Sequence, residues 1–134
     1  DKGNTVTQVD FKGKNIVLFF YPRANTPGCT AQACNLSENY ERLTKAGYSI
    51  FGVSADQVKH QSSFSNKFGF PYPLLADTEK TLINSFGVWG FKKFMGKEYE
   101  GILRTTFVLN KDSVITNVIE KVKTKDHTSQ ILDL

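Results

Sequence analysis

The chain has 134 residues, 40% of them hydrophobic and 22% charged. That is enough for one compact α/β domain over residues 1–134 and too little for a second. The formal charge of +4 is modest. Its densest groups, Lys92, Lys93 and Lys97, then Lys121, Lys123 and Lys125, come with no nucleic-acid motif and read as solvated faces. No apolar run approaches the ~18 residues of a membrane helix and no secretory segment opens the chain, so a soluble, cytoplasmic protein with no nucleic-acid or membrane partner is expected. Asp1 begins the sequence without a methionine, which leaves room for a leader or a first strand ahead of it. Two cysteines are too few for a disulfide scaffold or a zinc ribbon, which turns attention to their chemistry.

In chain order, Ile16-Val-Leu-Phe-Phe-Tyr21 is a continuous apolar run ended by Pro22 and reads as a strand buried on both faces. From Cys29 to Ala46 the spacing predicts a helix, with Leu36, Tyr40 and Leu43 on one side and Gly47 as its stop. Tyr48 to Val53 reads as the next strand, and Val58 to Phe68 as a helix closed by Gly69. Pro71 and Pro73 interrupt regular structure before Leu74-Leu75, and a short helix is expected from about Lys80 to Phe86. Residues 87–101, rich in Gly, Lys and aromatics, read as a long irregular excursion. Its Phe91, Phe94 and Tyr99 are expected in core or loop packing, in preference to a substrate entrance or partner surface. Arg104 to Leu109, the turn residues 110–113 and Val114 to Glu120 predict a β-hairpin, and a last helix is expected near Thr128. This order suits a mixed central β-sheet with helices on both faces, as in thioredoxin-like folds.

Cys29 follows Thr26-Pro27-Gly28 directly after a buried strand, in the first turn of a helix. Free backbone N–H groups and the helix dipole favour a thiolate there, which is the nucleophilic form. Taken alone, Thr26 would be a helix cap and Pro22 the end of a strand. His60 and His127 are isolated, offer no ligand spacing, and are expected in solvent or on a helix surface; no metal is called for.

Together, Pro22-x3-Thr26-x2-Cys29 resembles the active-site signature of the peroxiredoxins. The longer string Phe20-Tyr-Pro-Arg-Ala-Asn-Thr-Pro-Gly-Cys-Thr-Ala-Gln-Ala-Cys34 is similar to their bacterioferritin comigratory protein, or peroxiredoxin Q, branch. The likeness extends from Phe11-Lys-Gly-Lys14 through Gly52-Val-Ser54 and Pro73-Leu-Leu-Ala-Asp77 to Arg104-Thr-Thr-Phe107. It implies a thioredoxin-like fold, a thiol peroxidase acting on hydrogen peroxide and organic hydroperoxides, and Cys29 as the peroxidatic cysteine. It also implies that Arg104, on a later strand, reaches the sulfur, that Thr26 supplies a hydroxyl donor, and that Pro22 shields the thiolate. Gly101-Ile-Leu stands where the family has an acid, so no partner for Arg104 is assigned. Arg23 replaces a common lysine, and the family's N-terminal segment is shortened, which bears on the first strand.

Cys34 is implied as the resolving cysteine, its disulfide with Cys29 being reduced by thioredoxin or a similar dithiol, in a monomer or weak dimer with no metal, haem or flavin. On one regular helix the two Cα atoms would lie ~8.7 Å apart, whereas a disulfide needs less than ~7 Å. If they bridge, the start of the helix must unwind, a low-stability element over Thr26 to about Leu36. A thiol–disulfide oxidoreductase is the nearest rival, although it normally wants Cys-x2-Cys; a non-catalytic module with inert cysteines would leave Pro22, Thr26 and Arg104 unexplained.

Overall fold

The apolar run after Asn15 forms the central strand β1 (Asn15–Phe20), buried along nearly its whole length. This is seen in a computed structural model that describes residues 13, 15–24, 26–94, 97–112 and 114–133. The residues on which a first strand was in question lie outside those described. Because side chains alternate along a strand, β1 feeds two cores. Val17, Phe19 and Tyr21 point into one, Ile16, Leu18 and Phe20 into the other.

The chain continues through α1 (Pro27–Glu38), α2 (Tyr40–Lys45), β2 (Tyr48–Ser54), α3 (Val58–Phe68), β3 (Leu74–Ala76) and α4 (Thr81–Ser85). Then come β4 (Trp89–Phe94), β5 (Lys97–Ile102), β6 (Thr105–Leu109), β7 (Ile115–Ile119) and α5 (His127–Leu132). The main sheet runs β3-β2-β1-β6-β7. β1 pairs parallel with β2, and β2 with β3, across helical crossovers, whereas β6 is antiparallel to both β1 and β7. Cys29, Ala33, Leu36, Leu43, Phe64 and Ile131 place α1, α2, α3 and α5 on the first core. Ile83, Ile102 and the partly buried Trp89 place α4 and the β4–β5 pair over the second. The expected mixed sheet with helices on both faces is observed.

Three expectations are corrected. The helix predicted over 29–46 begins at Pro27, a residue suited to a first helical position, and divides at Asn39, whose backbone leaves the helical region at φ −109° and ψ 18°. The Asn39 side-chain amide donates to Asn35 O at 2.9 Å, a local bond that competes with helix continuation. Residues 89–102 are not irregular but pair as an antiparallel ribbon in which Gly90 faces Gly101. A Cβ at Gly90 would lie 3.2 Å from Leu103, so this glycine admits the leucine rather than loosening the chain. Phe91 on that ribbon is 74% exposed, against the expected packing; the side chains of Phe94 and Tyr99 lie outside those described.

Candidate active site

β1 delivers the chain to the site and α1 carries it away. Tyr21 extends the strand by donating its N–H to Val53 O at 3.0 Å. The half-buried Pro22 follows, and Ala24 N donates to Asp56 Oδ2 at 2.7 Å, tying the connection to the end of β2. Asp56 accepts a second bond from Ser54 Oγ, also at 2.7 Å. Buried Gln61 joins this network through Ser54 Oγ, Leu75 O and the Tyr21 hydroxyl, which donates to its Oε1. The backbone from residue 21 to 24 is therefore fixed before α1 begins.

Thr26 occupies the N-cap position, but its side chain makes no cap bond. Its Oγ1 donates to Arg23 O at 2.8 Å. That bond engages the hydroxyl proton, so what Oγ1 offers a bound molecule in this arrangement is an acceptor. The simple cap role does not apply.

Cys29 lies in the first turn of α1 and is 1% exposed. Arg104, from the two-residue link between β5 and β6, donates Nη2 to Cys29 Sγ at 3.2 Å. Its Nη1 donates to Gln32 Oε1 at 2.6 Å. The guanidinium thus bridges two residues one helical turn apart. Gly28 lets it approach, since a Cβ there would sit 3.2 Å from Nη2. Arg104 reaches Cys29 Sγ from just before β6 rather than from within it; Thr26 stands at the N-cap of the helix that carries Cys29, and Pro22 follows the strand that leads to it.

Gln32 was not singled out from the sequence. It is fully buried and holds the arginine through Oε1, while Nε2 has no partner among the described residues. Its signal was available, three residues after Cys29 on the same helix face. His127 was misplaced: it is fully buried rather than on a helix surface. Its Nε2 pairs with Thr106 Oγ1 at 2.7 Å and its Nδ1 with Gln130 Oε1 at 2.9 Å. Burial chiefly, and the charge of Arg104 in addition, push its pKa down, against a smaller opposing effect of the Gln130 bond. His60 is exposed, as expected.

Cys34 is also a free thiol, half-buried against the first core on the same helix. Burial pushes its thiol pKa up, and the carboxylate of Glu38 adds to this. The two sulfurs thus have different neighbours, one the Arg104 guanidinium and the other the Glu38 carboxylate.

Known proteins are similar to this chain in sequence and in fold. The model of the AhpC/TSA family matches residues 1–118. Peroxiredoxin Bcp of Escherichia coli (strain K12) is 41% identical over 131 residues, covering 98% of this chain and 84% of that protein. Peroxiredoxin Bcp of Bacillus subtilis (strain 168) is 43% identical over 132 residues, with coverages of 98% and 84%. Among solved structures, the bacterioferritin comigratory protein of Xanthomonas campestris, described for its alkyl peroxide reduction activity, superposes with a TM-score of 0.91 at 34% identity. That match covers 98% of this chain and 82% of that one.

Proposed function

The chain belongs to the AhpC/TSA family and is a thiol-dependent peroxidase of thioredoxin-like fold; from that premise we propose that Cys29 is its peroxidatic residue and Cys34 its resolving one. The observation that carries the reading is the Arg104 guanidinium 3.2 Å from a sulfur in the first turn of α1. Cys29 thiolate attacks one oxygen of ROOH, the S–O bond forms as the O–O bond breaks, and RO⁻ leaves and takes up a proton as ROH. Negative charge moves from sulfur onto oxygen during this step. A fixed cation beside both atoms stabilises that charge most where it is most dispersed. Thr26 Oγ1 accepts the peroxide O–H and orients it, and Pro22, which has no N–H, limits solvent at the sulfur.

The product, Cys29 sulfenic acid, is attacked by the Cys34 thiol, which expels water and forms the disulfide. A dithiol of the thioredoxin type then reduces it. Alkyl hydroperoxides join hydrogen peroxide as substrates by likeness to the Xanthomonas campestris protein. Since the cycle needs a supply of reduced thiol, we place the protein in the cytoplasm. The exposed Lys121, Lys123 and Lys125 form a solvated face and take no nucleic acid.

Peroxide consumption with a thioredoxin system tests the roles. Cys29→Ser should abolish turnover, and Cys34→Ser should retain one rapid oxidation per molecule but lose thioredoxin-supported cycling. Full turnover by Cys29→Ser would sink the assignment.

A further inference from the structure

The two halves of α1 are held by different means. At its start, Thr26 gives no side-chain cap and the first turn contains no acidic residue. Among the described residues, the tertiary bonds of this half converge on Arg104, which donates to Cys29 Sγ and Gln32 Oε1. The bond to sulfur is strongest when the sulfur is charged, and oxidation removes that charge. This tether therefore weakens when Cys29 reacts.

The other half is held by bonds that oxidation leaves untouched. Asn35, next to Cys34, donates Nδ2 to Lys125 O at 3.0 Å and accepts at Oδ1 from Thr128 N at 2.7 Å. Its carbonyl accepts from Thr128 Oγ1 at 3.2 Å. One turn of α1 is thus fastened to the start of α5. Immediately before Cys34, the Ala33 carbonyl accepts the buried hydroxyl of Tyr72 at 2.6 Å. The neighbouring His127 ties α5 in turn to Thr106 of β6.

We propose that Asn35 is a positioning residue of the resolving step: with Lys125 and Thr128 it keeps the Cys34 half of α1 docked throughout the cycle, so that unwinding is confined to residues 26–32 and Cys29 travels to Cys34. This rests on the resolving role of Cys34 proposed above. A tether present equally in the dithiol and disulfide forms stabilises both and leaves the equilibrium between them unchanged. One broken on oxidation stabilises the dithiol form alone.

The test compares wild type with Asn35→Ala in both redox forms, prepared with dithiothreitol and with one equivalent of hydrogen peroxide, and mapped by peptide mass. Asn35→Ala should lower the thermal midpoint of both forms by the same amount and change the dithiol–disulfide equilibrium constant against glutathione by less than threefold. A loss confined to the dithiol form, with a shift of threefold or more toward disulfide, overturns the anchor, as does no loss in either form. Hydrogen exchange on the wild-type disulfide form gives an answer independent of the variant. Amides of residues 28–32 should lose protection while those of 35–38 and 127–132 keep it; loss across α5 overturns the proposal. If mapping finds no Cys29–Cys34 disulfide, the resolving role itself fails and the anchor with it.

Discussion

Cys29 and Cys34 share one helix but almost nothing else. Cys29 is sealed from solvent beside the guanidinium of Arg104, with its backbone in the first helical turn. Cys34, less than two turns later, is half-buried, and its thiol is pushed up by burial and by Glu38. The helix supplies the spacing, and the neighbours supply the contrast. Reversing the neighbours, without moving either cysteine, should therefore erase the contrast.

The largest effect is expected at the cation. Arg104→Met should slow the single-turnover reaction with hydrogen peroxide by about 10²–10³-fold, the size seen when one preorganised donor is removed from a developing anion. Gln32→Met, which frees Nη1 while leaving the charge, should fall between Arg104→Met and wild type. Rapid-mixing oxidation rates measure both, and a loss below tenfold for Arg104→Met would break the comparison.

A smaller effect, on stability, tests whether burial keeps the imidazole behind the site from charging. His127 has its pKa pushed below the ordinary histidine value of ~6.5. The unfolded chain therefore takes up a proton in a pH range where the folded one does not. Stability from this residue is complete above about pH 6.5 and falls as pH drops from there toward the folded-state value. The thermal midpoint of wild type should fall more between pH 7.5 and 5 than that of His127→Gln. Equal falls would mean that the buried imidazole is not the group responsible.

The smallest effect concerns Cys34. In a Cys29→Ser background, Glu38→Gln should raise the rate of Cys34 alkylation at pH 7 by about threefold or less, because screening limits what one exposed carboxylate can do. An unchanged rate would leave burial as the whole cause.

Much of this was legible from local chemistry. The run Ile16 to Tyr21 announces a doubly buried strand because no polar residue interrupts it, and Gly69 ends α3 in the left-handed conformation that glycine adopts easily, at φ 64°. β6 and β7 pair as the expected hairpin, and between them Asn110 Oδ1 accepts from Asp112 N and Val114 N. Other features depend on partners distant in sequence. Asn39 divides a helix whose apolar spacing runs through it, because a side-chain amide bonds backward. The β4–β5 ribbon hides its period under lysines and facing glycines. At the site, Cys29 is legible from its place after a strand and Thr26 from its offset, but Arg104 emerges only through likeness to a family. Gln32 and His127 escape because their meaning is tertiary: one holds an arginine 72 positions away, the other a threonine 21 away.

Gly28 gives the site an unusual kind of fragility. One additional carbon at this position would meet Arg104 Nη2 at 3.2 Å and press the guanidinium away from the sulfur. The thiol, the cation and the fold could all survive such a change while their spacing did not. The calibration of this centre is therefore held partly by empty volume, which leaves no trace in an inventory of reactive groups, and which a single methyl would change by a few tenths of an ångström.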